Sequence, residues 1–284
     1  MYQAGLVLEG GGMKGVYTAG VLDYFLDKNI EFSTCYGVSA GACVLCSYLS
    51  KQRRRAFRTL TEYLDDKRYM GIRNLLTEGN YFNGKFCYDL IPNYLDPYDH
   101  EAFYRYQGKA YAVVMDIRTG EPNYLQLKDL KKDITIVQAS ASLPIFSQNI
   151  PWNGKLYLDG GIADGIPLAK SMEDGNQKNV VILTKDKAYR RKKTNPWVLL
   201  LMKIRYVFFP KVPELMATRH DRYNGQLDFM EEQERLGNCY VIRPSRDCKV
   251  DRMEKNPKVL EEMYQLGYED GEKHYQSLLE YLNK

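Results

Sequence analysis

Three groups of residues in this chain have the types and spacing for acyl-transfer chemistry. Ser39 lies in Gly37-Val-Ser-Ala-Gly41, which fits G-x-S-x-G. Small residues on both sides of a serine allow a tight strand-to-helix corner from which Oγ projects. Gly10, Gly11 and Gly12 follow the apolar run Leu6-Val-Leu. Their successive main-chain N–H groups, at the start of a helix, could point at developing negative charge. Asp159 ends the run Leu156-Tyr-Leu-Asp159 and precedes Gly160-Gly161. A carboxylate there can act as a base if it comes within hydrogen-bond reach of Oγ. Two of these groups also have a plainer reading: Ser39 in a structural Gly-Ser turn that caps the following helix, and Asp159 as a cap for the segment after its strand.

Gly10, Gly12 and Gly15 also fit G-x-G-x-x-G, so a dinucleotide loop is the rival for the first turn. A nucleotide-binding unit places an acid at the end of its second strand to hold the ribose. Here that strand, residues 32 to 38, ends on Ser39, and the expected acid is missing. An oxyanion loop beside an acyl-transferring serine fits better. A serine also needs a base. The three histidines, His100, His220 and His274, fall in an irregular region, a polar helix and the last amphipathic helix. None follows a strand beside small residues, which leaves Asp159 as the candidate.

Four ordered motifs over residues 5 to about 185 carry a family resemblance. The loop Gly10-Gly-Gly-Met-Lys-Gly15, the elbow around Ser39, the segment Ala139-Ser-Ala-Ser-Leu-Pro-Ile-Phe146 and the triplet Asp159-Gly-Gly161 together resemble the patatin-like phospholipases. These are serine lipid acyl hydrolases. The resemblance implies a Ser39–Asp159 dyad without a catalytic histidine, an oxyanion hole from Gly10, Gly11 and Gly12, and charge support from Lys14. It also implies a three-layer α/β/α fold with the dyad at the carboxyl ends of the strands. No metal or organic cofactor is implied, and the expected substrate is a lipid or other fatty-acyl ester. The alternative is a non-catalytic lipid-binding or regulatory protein that keeps the fold.

The elements that must position these residues can be read in outline. Residues 4–8 form a buried first strand, 13–29 a helix, 32–38 a second strand and 40–50 an apolar helix behind the serine. The basic run Lys51-Gln-Arg-Arg-Arg55 opens a helix to about Arg68, read as a solvated face. Residues 69–108 mix loops and short helices. A strand over 109–116 turns at Arg118-Thr-Gly-Glu121 into 123–127. A helix over 134–141 stops at Ser142-Leu-Pro144, and strands follow over 154–161 and 179–184. Beyond Lys185 come a helical insertion over about 190–237, a late strand over 239–243 and an amphipathic helix over 257–283. The expected organisation is one domain over 1–284, its catalytic core being 1–185 plus the late strand, with a mostly parallel central sheet.

Composition excludes several classes. The 284 residues carry a net charge of +4, too mild to argue for a nucleic-acid partner. Six cysteines without regular spacing, including Cys43 and Cys46, read as reduced core residues and favour a cytoplasmic location. Residues 197–209 are the most apolar stretch, interrupted by Lys203 and Arg205, and fall short of the ~20 residues of a membrane span. With Arg190-Arg-Lys-Lys193, residues 189–212 suggest peripheral contact with the inner membrane surface. An internal lid helix packed on the sheet is the equal alternative.

Overall fold

Alternate residues of the first strand, β1 (Tyr2–Leu8), serve two different helical layers. Leu6 and Leu8 belong to the largest apolar cluster, and Val7 belongs to a second cluster on the opposite face. A stretch buried on both faces must be apolar throughout, as Ala4–Leu8 are. The computed structural model describes all residues, 1–284.

After β1 come α1 (Gly15–Asp27), β2 (Phe32–Val38), α2 (Ala40–Leu49), α3 (Arg55–Thr61) and α4 (Ile72–Glu78). A π-helical segment, Phe86–Leu95, precedes α5 (His100–Arg105), β3 (Lys109–Asp116), β4 (Pro122–Gln126) and α6 (Leu130–Ser140). Next are β5 (Ile150–Trp152), β6 (Lys155–Asp159), α7 (Leu168–Glu173), β7 (Asn179–Ile182) and α8 (Pro196–Arg205). The chain ends with α9 (Lys211–Ala217), α10 (Arg219–Arg235), β8 (Cys239–Ile242) and α11 (Pro257–Asn283).

The eight strands form one sheet in the order β5-β6-β3-β2-β1-β7-β8, with β4 paired to β3. The five strands β3, β2, β1, β7 and β8 run parallel, while β4, β5 and β6 join by antiparallel pairing. Helices α1, α2, α6 and α11 cover one face. On the other face, α7 and α10 pack on Val7 and Val181, and α8 and α9 pack on Met115 and Leu158. The α1–α11 contact is close enough that a Cβ on Gly267 would stand 2.1 Å from the Tyr17 carbonyl. The glycine inside that long helix is there for backbone approach, not flexibility.

One expectation needs correction. The basic helix expected to reach Arg68 is only seven residues long, and Arg55 is 1% exposed instead of solvated. Its Nη1 donates to Ser47 Oγ at 3.0 Å and its Nε to the Asp96 carbonyl at 3.0 Å. Its guanidinium centre lies 3.5 Å from the Tyr98 ring centroid. The planar fork finds acceptors and an aromatic face inside, which offsets its desolvation. The strand ending on Asp159 is one arm of a short hairpin, β5–β6, and runs antiparallel to β3 in the otherwise mostly parallel sheet.

Candidate active site

The sheet register brings Ser39 and Asp159 together. Val38, the last residue of β2, pairs with Val113 of β3, and Asp159, the last of β6, pairs with Val114. β3 extends beyond the end of β2, and β6 descends along that extension until its own carboxyl end meets the end of β2. Two strand termini therefore face each other across one intervening strand. Ser39 Oγ donates to Asp159 Oδ2 at 2.7 Å, and Asp159 Oδ1 accepts from the Gly161 N–H at 2.8 Å. Asp159 is 1% exposed.

Ser39 sits at φ 55°, ψ −124°, between β2 and α2. That backbone region strongly favours glycine, and holding a serine in it stores strain. The segment Ala139-Ser-Ala-Ser braces the pair. Ser140 Oγ accepts from the Ser39 N–H at 2.9 Å and donates to the Val113 carbonyl at 2.6 Å. The Asp159 N–H donates to the Ser142 carbonyl at 2.8 Å. These positioning roles of Ser140 and Ser142 are not visible in the sequence beyond the motif that contains them.

The glycine loop abuts the serine: a Cβ on Gly10 would stand 2.7 Å from Ser39 Cβ. The N–H groups of Gly10 and Gly11 donate to no protein acceptor, and Gly12 begins a short 3₁₀ turn, where first-turn N–H groups have no intrahelical partner. The loop is held from behind by a buried network. Glu9 Oε2 accepts from the Thr184 N–H at 2.8 Å, Glu9 Oε1 accepts from Tyr223 at 2.5 Å, and Lys185 pairs with the same carboxylate. Burial alone would push Glu9 up, but Lys185, Thr184 and Tyr223 hold it below its ordinary value. Burial outweighs Glu9 in pushing Lys185 down, to about 8. Lys14 is half-buried in the turn and lines neither cavity that reaches Ser39, and neither do the three histidines. His220 Nε2 lies 3.2 Å from Asp221.

Ser39 stands where two cavities meet. One is a largely apolar chamber of about 1160 Å³ including its open mouth, with Val44, Tyr88, Val137, Leu143 and Phe146 in its wall. Cys43 also lines it, and burial pushes that thiol up to about 11, so at neutral pH it remains protonated and is a poor nucleophile. The other is a polar compartment of about 350 Å³ containing Asp159, the glycine loop and the side chains of Arg191, Arg219 and Arg252. Ser39, Gly12, Leu143 and Arg252 line both. The three arginines come from the region after Lys185 and carry no motif that sequence reading could use.

The sequence model of a family described as patatin-like phospholipase matches residues 6–170, more than half of the chain. The chain belongs to the patatin-like phospholipase family. A second model, described as a domain of unknown function (DUF6363), matches residues 209–283 and so includes Arg219 and Arg252. Among relatives, the uncharacterized protein YjjU of Escherichia coli K12 is 29% identical over 183 residues, 63% of this chain and 51% of that protein. A probable lipid hydrolase, 463L, of Invertebrate iridescent virus 6 is 26% identical over 195 residues, 63% of this chain and 66% of its own. The chain thus spans about half to two thirds of the length of these relatives. Among solved structures, VipD from Legionella pneumophila aligns with a TM-score of 0.48 and 12% identity, over 98% of this chain and 67% of that one.

Proposed function

We propose that this protein is a lipid acyl hydrolase that works through a Ser39–Asp159 dyad. The observation that carries the reading is the 2.7 Å bond from Ser39 Oγ to a buried carboxylate, beside main-chain N–H groups without acceptors. Asp159 takes the Oγ proton as Oγ bonds to the ester carbonyl carbon, and the glycine-loop N–H groups hold the resulting oxyanion. The bond to the leaving alcohol breaks as Asp159 returns the proton to it. Water then attacks the acyl-serine, giving a proton to Asp159; the acyl–Oγ bond breaks, Oγ is reprotonated and the fatty acid departs. Asp159 Oδ1, fixed by Gly161, keeps Oδ2 aimed at Oγ throughout. Lys14 has no direct part in this scheme.

The apolar chamber suits the acyl chain, and its mouth suits a lipid surface. Arg205 of α8 reaches the carbonyl of Ser147, a residue of the chamber wall, at 3.4 Å. The exposed side of this region carries Trp197, Leu201, Ile204 and Phe208, 57–86% exposed. Lys192, Lys193 and Lys203 are also exposed, so anionic lipid is the matching surface. Arg190 instead pairs with Glu231 at 3.2 Å, and Arg191 lines the polar compartment, so only the lysines of that run are free to meet headgroups. We take the whole chain as one catalytic unit acting peripherally on the cytoplasmic side of a membrane; no helix is long and apolar enough to cross one.

A fluorophosphonate probe and a short-chain chromogenic ester test the dyad. The wild type should label at Ser39 and turn over the ester, while Ser39→Ala abolishes both. Asp159→Asn should lower kcat by about 10²–10⁴, the usual worth of a positioned base. An Asp159→Asn protein that keeps more than a tenth of the activity would refute the dyad. A wild type that neither labels nor hydrolyses would refute the enzyme.

A further inference from the structure

We infer that Thr184 and Lys185 are positioning residues for the oxyanion loop: they grip the Gly10 carbonyl, which turns the Gly11 N–H toward the reacting ester, and turnover depends on Lys185 keeping its proton. Their place follows from the sheet. β1 and β7 pair in parallel as far as Leu8 and Ile182, and the Glu9 N–H donates to the Ile182 carbonyl at 3.0 Å. The two segments therefore leave the sheet side by side, with Thr184 against the glycine loop. Thr184 Oγ1 lies 2.9 Å from the Gly10 carbonyl oxygen, and Lys185 Nζ lies 3.4 Å from it. A trans peptide directs its C=O and its N–H to opposite sides, and no peptide of this chain is cis. A Gly10 carbonyl held by these two side chains thus sends the Gly11 N–H away from them, and Gly11 shares its compartment with Ser39. A Cβ on Gly11 would stand 2.6 Å from Thr184 Oγ1, so the grip also needs glycine there.

The charge on Lys185 matters through the hydrogens it supplies. An ammonium has three, and three acceptors surround it: the Glu9 carboxylate, Thr184 Oγ1 at 3.1 Å and the Gly10 carbonyl. The Thr184 hydroxyl has one, with the Gly10 carbonyl at 2.9 Å and Glu9 Oε2 at 3.0 Å as rival acceptors. While Lys185 is charged, its ammonium, the Thr184 N–H and the Tyr223 hydroxyl satisfy the carboxylate, and the Thr184 hydroxyl is free for Gly10. A neutral Lys185 supplies only two hydrogens and leaves Glu9 as an uncompensated carboxylate, the stronger acceptor, which draws the hydroxyl off Gly10. It also leaves a negative charge in the wall of the compartment where the proposed oxyanion would form.

Glu9 and Lys185 are 2% and 7% exposed, so solvent shields neither charge. Burial brings Lys185 down to about 8, Glu9 opposes the shift, and Arg191 and Arg252 add to it. Asp159 lines the same compartment but is committed to Ser39 and Gly161. Tyr189 and Tyr223 each set a ring 5.5 Å from Lys185 Nζ, and burial and Glu9 push the Tyr223 phenol up, so it stays protonated. The rival source of an alkaline loss of activity is Arg219, which burial brings down to about 9 and whose Nε donates to the Gly161 carbonyl. Turnover that needs charged Lys185 is present below about pH 8 and falls as pH rises through it.

This inference rests on the acyl-hydrolase reading for what the loop does, and the test follows the loop and the chemistry separately. The Gly11 amide of the full chain is observed by NMR after ¹⁵N-glycine labelling, and kcat and KM for the short-chain ester are measured, both across the interval around pH 8. Expected in the wild type are a Gly11 resonance that titrates in that interval and a kcat that falls through it at least about tenfold with KM little changed, short of the 10²–10³ that deleting an oxyanion donor costs. Glu9→Gln/Lys185→Met, which removes both charges together and leaves no buried ion alone, should abolish both titrations. Thr184→Val should lower kcat at least about tenfold at neutral pH with KM unchanged, and Thr184→Ser should keep most of it. A wild-type Gly11 resonance that stays still through the interval would overturn the inference without any variant having to fold. An alkaline limb that survives in the double variant would overturn it too and pass the limb to Arg219. A Gly11 that titrates while kcat stays level would overturn the catalytic role of the grip. A Gly11 that titrates in a protein that never labels at Ser39 would support the grip and sink the hydrolase instead.

Discussion

The backbone at Ser39 permits a stability prediction whose sign is diagnostic. Ser39→Ala and Ser39→Gly both remove Oγ and its 2.7 Å bond to Asp159, so that loss cancels between them. What differs is Cβ. At φ 55°, ψ −124°, a side chain is strained by about 1–3 kcal/mol. The alanine variant keeps this strain and the glycine variant relieves it. Against this relief, glycine frees the unfolded chain by about 0.4–1 kcal/mol. It also gives up a half-buried methyl, roughly half of the ~0.8 kcal/mol of a fully buried one. The balance favours the glycine variant by about 1 kcal/mol, or about 2 °C in Tm for a chain of this size. At an unstrained position the order is the reverse, with alanine ahead by roughly 0.5–1 kcal/mol. Equilibrium denaturation of the two variants side by side decides the matter. An alanine variant that is the more stable of the two would show an unstrained corner, and the nucleophile-elbow interpretation of Gly37–Gly41 would fail with it.

Two further outcomes follow from packing and surface chemistry. Co-sedimentation with vesicles containing acidic lipid should fall at least severalfold for Trp197→Ser/Phe208→Ser and for Lys192→Glu/Lys193→Glu; binding indifferent to both changes and to lipid charge would remove the membrane contact. Gly267→Ala, which in a free helix would gain about 1 kcal/mol, should instead destabilise by about 1–3 kcal/mol, because its Cβ would lie 2.1 Å from the Tyr17 carbonyl on α1; a rise in Tm would show that the α1–α11 contact is loose.

Parts of the fold were legible because local rules and tertiary demands agree. Phe32–Val38, with its buried end Cys35-Tyr-Gly-Val38, and the apolar run Cys239–Ile242 both match the expected strands. Helix α11 begins where Asn256 accepts from the Lys258 N–H with Pro257 at its first position, a start signal written in three residues. The serine, the glycine loop and the Asp-Gly-Gly triplet were legible for the same reason: each needs particular residue types at adjacent positions. Arg55 was not. Its basic neighbours suggest solvent, and only the distant Asp96 carbonyl and Tyr98 ring explain its burial. Arg191, Arg219 and Arg252 were illegible in the same way. They come from three separate segments, so their meeting depends on where the helices after β7 lie, and no spacing encodes that.

The fit between Ser39 and Asp159, on which the proposed dyad depends, comes from strand register. Asp159 faces Ser39 because β6 runs antiparallel to β3 with Asp159 opposite Val114, one step beyond the Val38–Val113 pair. A slip of one residue would turn the carboxylate to the other face of the sheet, and a slip of two would carry it about 7 Å along the strand. Either would break a 2.7 Å bond, so the register must be pinned at this point. The main chain does the pinning: the Asp159 N–H is held by the Ser142 carbonyl, and the carboxylate by the Gly161 N–H. Gly160 completes the lock, since a Cβ there would stand 2.1 Å from the Val113 carbonyl, the atom that also accepts from Ser140. Only a residue without a side chain lets β6 turn away so close to β3. The glycines after Asp159 therefore act on the proposed dyad through position: one permits the approach, and the other aims the carboxylate.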